Sequence, residues 1–280
     1  MKKLFIDIGG THLRSEVWSE NDVITEYIRS QEHGLLSYID RVMLQHPDIS
    51  FIGISYAGQV DQGVLVASPN INIDEYDIAS AVKSRYGIPL KIDNDLNCAI
   101  RAEAAYWKSD SIAALFVGTG IGAAVIDQGK LVRGSRNMAF EIGHIPYRET
   151  PLLCGCGRSN CIELYASGSG ISKWLTLYGR EQNPNLEQLK NSIIAEERSI
   201  AAEFEKAVLH AAGVLVTLSN PEILVLGGGI VEQNPYLVPF VRENLKDYAL
   251  NPSLKTLQIE RSVLDNAPLA GAKLLENSNG

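Results

Sequence analysis

Three of the chain's four cysteines fall within eight residues, at Cys154, Cys156 and Cys161 in the stretch LCGCGRSNCIEL. A disulfide framework would need more cysteines and an oxidising compartment, and Cys-x-Cys is too tight for an easy bridge. Thiolates at this spacing can instead wrap one metal ion. A second group lies at Asp93-Asn94-Asp95-Leu96-Asn97, directly after the apolar residues 90–92. One of its Asp or Asn side chains serves as a helix N-cap, and a cap needs only one. A remaining carboxylate could accept the proton of an alcohol as that alcohol attacks a phosphoryl group. Ser68-Pro69-Asn70 and Glu141-Ile142-Gly143-His144 add amides, a carboxylate and an imidazole, the donors and acceptors that a polyhydroxylated substrate requires.

Three glycine turns form the third group. Asp7-Ile8-Gly9-Gly10-Thr11, Gly118-Thr119-Gly120-Ile121-Gly122 and Gly227-Gly228-Gly229 each end an apolar run. Glycines let backbone N–H groups approach an anion, Thr11 adds a hydroxyl, and Asp7 could hold a hydrated Mg²⁺. None matches GxxxxGK[ST] or GxGxxG. Together they point to one nucleotide cleft.

The elements that must position these groups follow from periodicity. Strands are expected at residues 2–8, 12–19, 23–28, 51–57 and 90–92, and helices at 35–45, 78–86 and 96–107. The pattern then recurs: strand 111–117, glycine turn, strand 123–126, the hairpin turn DQGK and strand 131–133. A polar helix is expected at 186–198 and a longer one at 200–218. Strand 222–226, helix 236–248, strand 256–260 and helix 267–276 close the chain. Two halves that each open with strand, glycine turn and strand suggest a duplicated α/β architecture. An early hairpin argues against a dinucleotide-binding fold, whose first strand feeds a helix. Cys98 falls in the alanine-rich helix and reads as a small buried apolar residue.

Composition narrows the function classes. A chain of 280 residues, 45% hydrophobic, is long enough for two cores. Its formal net charge of -8 disfavours nucleic acid and anionic membrane as partners. No apolar run approaches the ~20 residues of a membrane span, and no signal peptide is evident, so a cytoplasmic location is expected.

DIGGT at 7–11, SPN at 68–70, NDLN at 94–97, GTGIG at 118–122, EIGH at 141–144, CGCGRSNCIE at 154–163 and LGGG at 226–229 resemble, in order and spacing, the motifs of the ROK family of repressors and sugar kinases. The resemblance implies a two-domain actin-like, hexokinase-like ATPase fold with a cleft between the domains. Residues 1–109 would form a small α/β domain joined by the closing helix in 267–280. Residues 110–266 would form a larger domain carrying a zinc-binding loop. The resemblance further implies a structural Zn²⁺ on His144, Cys154, Cys156 and Cys161. It makes Asp95 the general base, and Asn70, Asn94, Glu141, His144 and Glu163 sugar contacts. Asp7, Gly9, Gly10, Thr11, Gly118, Thr119 and Gly120 would cradle the ATP phosphates and Mg²⁺, and Gly227, Gly228 and Gly229 would face the adenosine. Three positions depart from the family pattern: Ala57 stands before Gly58 where proline is common, and Phe140 and Asn160 stand where glycine is common. The phenyl ring could reshape the sugar pocket, while Asn tolerates left-handed backbone angles better than most residues, so the turn at Asn160 is expected to survive.

The expected activity is ATP-dependent phosphorylation of a hexose hydroxyl, glucose at O6 first. N-acetylmannosamine, N-acetylglucosamine, mannose and fructose are alternatives, as is a sensor that only binds sugar. A ROK repressor would carry a DNA-binding segment ahead of DIGGT, for which six residues leave no room. A homodimer is the expected assembly. If Asp95 is not the base, Asp93 is the next candidate.

Overall fold

The computed structural model describes residues 1–67, 71–180 and 185–278. The chain forms two compact units: residues 1–108, 133–139 and 264–280, and residues 109–132 and 140–263.

The first unit contains β1 (Lys2–Ile8), β2 (His12–Trp18), β3 (Val23–Arg29), α1 (Leu35–Gln45), β4 (Ile49–Tyr56), β5 (Gln59–Asp61), β6 (Val64–Ala67), α2 (Ile78–Tyr86), β7 (Leu90–Asn94) and α3 (Asp95–Trp107). Its main sheet runs β3-β2-β1-β4-β7. β1, β2 and β3 pair as antiparallel hairpins, while β4 and β7 add in parallel. α1 shows why the periodicity worked: Leu35, Leu36, Ile39, Val42 and Met43 all enter the core. α2 ends at Gly87, whose φ of 71° is the left-handed cap that glycine favours.

The second unit contains β8 (Ile112–Val117), β9 (Ile121–Asp127), β10 (Lys130–Leu131), α4 (Gly168–Leu177), α5 (Leu186–Lys190), α6 (Ala195–Ser219), β11 (Ile223–Gly227), α7 (Gly229–Gln233), α8 (Leu237–Asn244), α9 (Asn251–Leu254) and β12 (Gln258–Arg261). Its sheet, β10-β9-β8-β11-β12, repeats the first unit's order of hairpins followed by parallel strands. The DQGK turn joins β9 to β10 with Gln128 and Gly129 both at positive φ, as a tight hairpin turn demands. α6 runs through the core, with Phe204, Ala207, Val208, Ala211, Ala212, Leu215 and Val216 buried. The polar segment after Leu186 is not the single helix expected to residue 198: α5 stops at Lys190 and α6 starts at Ala195.

The chain returns to the first unit with α10 (Ala267–Leu274), which packs on α3, β1 and β4. Cys98, Phe5, Phe51, Leu269 and Leu275 form a buried cluster there, so Cys98 is a core residue of the first unit. Contact is closest at Gly271, where an added Cβ would lie 1.8 Å from the Cys98 carbonyl oxygen. Two boundaries differ from expectation. Residues 133–139 belong to the first unit, because Arg133 and Asn137 bond to Asp93, and so do residues 264–266. Among the described residues no helix is long and apolar enough to cross a membrane.

Candidate active site and metal centre

Strand register lines up a polar row across the first unit's sheet. Tyr27, Arg14, Asp7, Ser55 and Asp93 are successive cross-strand partners on β3, β2, β1, β4 and β7. Asp7 stands one residue before the β1 end, where the Gly9–Thr11 turn is closed by the Gly9 amide donating to the His12 carbonyl at 2.9 Å. Ser55 Oγ donates to Asp7 Oδ1 at 2.9 Å and Asn266 Nδ2 to Oδ2 at 3.0 Å. Burial pushes the Asp7 carboxyl above its ordinary value, against those two hydrogen bonds and the Arg14 charge. Each Asp7 oxygen keeps a lone pair beyond its one donor, a hard-oxygen arrangement that fits Mg²⁺, which takes few protein ligands.

The three polar residues after β7 have three different fates. Asn94 is the cap of α3: its Oδ1 accepts from the Leu96 and Asn97 amides, and its Nδ2 donates to the Gly58 carbonyl. Asp93 is buried in a chelate. Arg133 Nη1 and Nη2 reach its two oxygens at 3.0 and 2.7 Å, and Asn97 and Asn137 amides add bonds at 2.9 and 3.2 Å. Burial would raise its carboxyl, but Arg133, as donor and as charge, outweighs that and holds it below the usual range. A carboxylate so fully engaged is a poor proton acceptor, which removes Asp93 as the reserve base. Asp95, in the first turn of α3, is left. Burial, and then the charge of Asp7, push its carboxyl up to about 7, near the value at which a general base works best at neutral pH. Asn70 lies outside the described residues.

In the second unit the two remaining glycine turns meet, because β8 and β11 are neighbours with Phe116 opposite Gly227. The Gly118 and Thr119 carbonyls accept from the Gly168 and Ser169 amides at the start of α4. Gly228 has φ 89°, and a Cβ there would lie 2.6 Å from the Val117 carbonyl oxygen. Gly229, the first residue of α7, is exposed, and a Cβ there would meet nothing within 4 Å.

Glu141, His144 and Glu163 come together in this unit. Glu141 (φ -66°, ψ 59°) centres an inverse γ-turn closed by the Ile142 amide on the Phe140 carbonyl at 2.6 Å. Phe140 itself sits at φ 60°, held by packing of its ring on the second unit's core. Burial and the Glu163 charge raise the Glu141 carboxyl, against His144. Glu163 Oε2 would lie 2.8 Å from a Cβ on Gly120, so a bare glycine is what lets that carboxylate approach the turn.

The ligand atoms of His144, Cys154, Cys156 and Cys161 all lie within 4.8 Å of one another. Cys154 Sγ is 3.6 Å from His144 Nδ1, and Cys156 Sγ is 3.4 Å from Cys161 Sγ. Ligands about 2.3 Å from a tetrahedral zinc stand about 3.8 Å apart, so the cluster is compatible with structural zinc. The loop is pre-shaped by backbone bonds from Tyr147 to Asn160, Thr150 to Ser159, Cys154 to Arg158 and Ile162 to Ile145. The left-handed position in the loop is Gly157, φ 86°, and Asn160 Nδ2 donates to Glu149 Oε1 at 3.1 Å.

Sequence reasoning missed Ser55, Arg133, Asn137 and Asn266. Asn266 before Ala-Pro carried a helix-start signal; the others become visible only through pairing across the sheet or the fold.

Two α/β units of matching strand order, each ending a strand in a glycine turn, define the actin-like ATPase fold. The ROK family model matches residues 4–278, and the chain belongs to the ROK family. It is 29% identical over 249 residues to an N-acetylmannosamine kinase of Vibrio cholerae, covering 85% of this chain and 87% of that one. It is 26% identical to a Thermotoga maritima glucokinase, covering 97% and 96%. Among solved structures, a ROK family glucokinase from Streptomyces griseus in complex with glucose and AMPPNP superposes with TM-score 0.78 at 25% identity, over 99% of this chain and all of that one.

Proposed function

We propose that this protein is an ATP-dependent sugar kinase that phosphorylates a hexose hydroxyl, glucose at O6 first, with Asp95 as general base. The observation that carries the reading is the division of labour at the start of α3, where Asn94 is spent on the helix cap and Asp93 on Arg133, which leaves Asp95, in the same unit as Asp7 and its glycine turn, as the carboxyl to take a proton, its value pushed up to about 7 by burial and the Asp7 charge. A carboxyl that titrates close to neutral pH, and whose ionised form is therefore basic enough to accept a proton, suits the deprotonation of an attacking alcohol. In this reading Asp95 takes the hydroxyl proton. Asn70, Asn94, Glu141, His144 and Glu163 hold the other hydroxyls. Asn94 offers only its second Nδ2 hydrogen, since its oxygen caps α3. Gly9, Gly10, Thr11, Gly118, Thr119 and Gly120 line the phosphates, and Gly227, Gly228 and Gly229 the adenosine. Asp7 would hold Mg²⁺, which when bound neutralises phosphate charge. His144, Cys154, Cys156 and Cys161 would hold a zinc ion that shapes the sugar site and takes no part in proton transfer.

N-acetylmannosamine is the second reading, favoured by the Vibrio cholerae relative. A coupled ADP-release assay with glucose, mannose, fructose, N-acetylglucosamine and N-acetylmannosamine tests both. One sugar should give turnover that Asp95→Asn lowers by about a hundredfold or more. Wild-type turnover in Asp95→Asn would remove the base, and silence across the panel with sugar binding retained would favour a sensor.

A further inference from the structure

Asn266 holds two bonds with the two ends of one amide. Its Oδ1 accepts from the Leu269 amide at 2.8 Å, capping α10, and its Nδ2 donates to Asp7 Oδ2 at 3.0 Å. The cap fixes which end is oxygen, so the nitrogen end is committed to Asp7. Ser55 Oγ binds the other Asp7 oxygen from β4. Asp7 is thereby gripped from both sides, by an element 48 residues away and by one 259 residues away in the chain.

We propose that Asn266 is a positioning residue for the reaction: it ties the start of α10 to Asp7 and holds that carboxylate in the rotamer that receives Mg²⁺. The inference rests on the reading of Asp7 given above. A helix cap alone could be met by Ser, Thr, Asp or Asn; the donor to Asp7 could not come from Asp. The charged groups facing Asp7 are Arg14 on β2 and Asp95 on α3, with Asp93 on β7 beyond Ser55. Asp265 beside Asn266 is exposed, and Lys273 on α10 is paired with Glu16. An added carboxylate at 266 would therefore have no cation of its own on α10 to offset it at Asp7.

The test is Asn266→Asp in the full chain, which keeps the cap and replaces the donor by a like charge. Two readouts are taken: carbon-13 NMR titration of the Asp7 carboxyl without nucleotide, and calorimetric binding of AMPPNP as a function of Mg²⁺. Expected are an Asp7 titration moved to higher pH, with the lower melting temperature at neutral pH that such a shift entails, and a Mg²⁺ requirement raised about tenfold or more, the factor for a lost hydrogen bond to a charged group. Ser55→Ala, which touches no cap, should move both readouts in the same direction and serves if Asn266→Asp fails to fold. Unchanged titration and Mg²⁺ dependence in both variants, while Asp7→Asn abolishes Mg²⁺-dependent binding, would overturn the proposal and leave Asp7's role intact. Wild-type Mg²⁺-dependent binding in Asp7→Asn would overturn the role of Asp7 and the proposal with it.

Discussion

Asp93 and Asp95, two residues apart, are driven in opposite directions by their partners. Arg133 stabilises the charged form of Asp93, while burial and Asp7 destabilise that of Asp95. The consequences for stability have opposite signs. A carboxyl lowered by folding contributes stability above its unfolded value, lost as pH falls through the lower folded one. A carboxyl raised to about 7 makes the folded state bind a proton that the unfolded chain has already released, so stability falls as pH rises from about 4 to 7. Asp95→Asn removes that penalty. At pH 8 it should be more stable than wild type, by on the order of 2 kcal/mol, and the difference should vanish near pH 4. Thermal scans across that range check it; a variant less stable at pH 8 would show that Asp95 is not under electrostatic strain. Asp93→Asn should instead destabilise at neutral pH, by about 3 kcal/mol, because Arg133 is left without its partner charge. A denaturant midpoint equal to wild type would contradict the chelate.

At the scale of elements, the loop that carries the three clustered cysteines is shaped by its backbone bonds. Cys156 is exposed while Cys154 and Cys161 are buried, and its Sγ lies 3.4 Å from that of Cys161. Cys156→Ser should lose most of the bound zinc and lower the melting temperature, measured by elemental analysis and calorimetry on the same sample. One zinc per chain in that variant would remove Cys156 from the ligand set. This loop was legible in sequence because its ligands are close neighbours, and so were helices such as α1, whose stripe needs only local spacing. Elements whose cues conflict were not. α4 begins Gly-Ser-Gly, which reads as a turn, and forms because the buried Ser167 caps it through the Gly170 amide. The short β5–β6 hairpin was missed because strands of three and four residues show little alternation. The left-handed backbone of Phe140 contradicts its own preference and is imposed by the turn and the core beneath it. The Asp93–Arg133 chelate joins residues 40 apart, which no local pattern encodes.

At the scale of the molecule, the first unit is sewn from three stretches of chain, and the last supplies α10. That helix caps itself with Asn266 and covers the core at Cys98, so the unit holding Asp7 and Asp95 is completed only when α10 docks. Gly271 is the tightest point of the docking. A methyl group there would stand 1.8 Å from backbone oxygen of α3, which cannot rotate away as a side chain could. Gly271→Ala must push the two helices apart, at a cost on the order of 3 kcal/mol or more, the upper range for overpacked cores. The second unit has its own sheet, its own core and the His–Cys cluster, none of which includes α10. Heating the variant should therefore separate one transition into two. Kinase turnover and the fluorescence of Trp18 and Trp107 should be lost first, and bound zinc, with Trp174 beside its loop, should be released later. A single transition in which turnover, fluorescence and zinc are lost together at the wild-type temperature would show that α10 docks with slack at Gly271 and that the two units do not unfold separately.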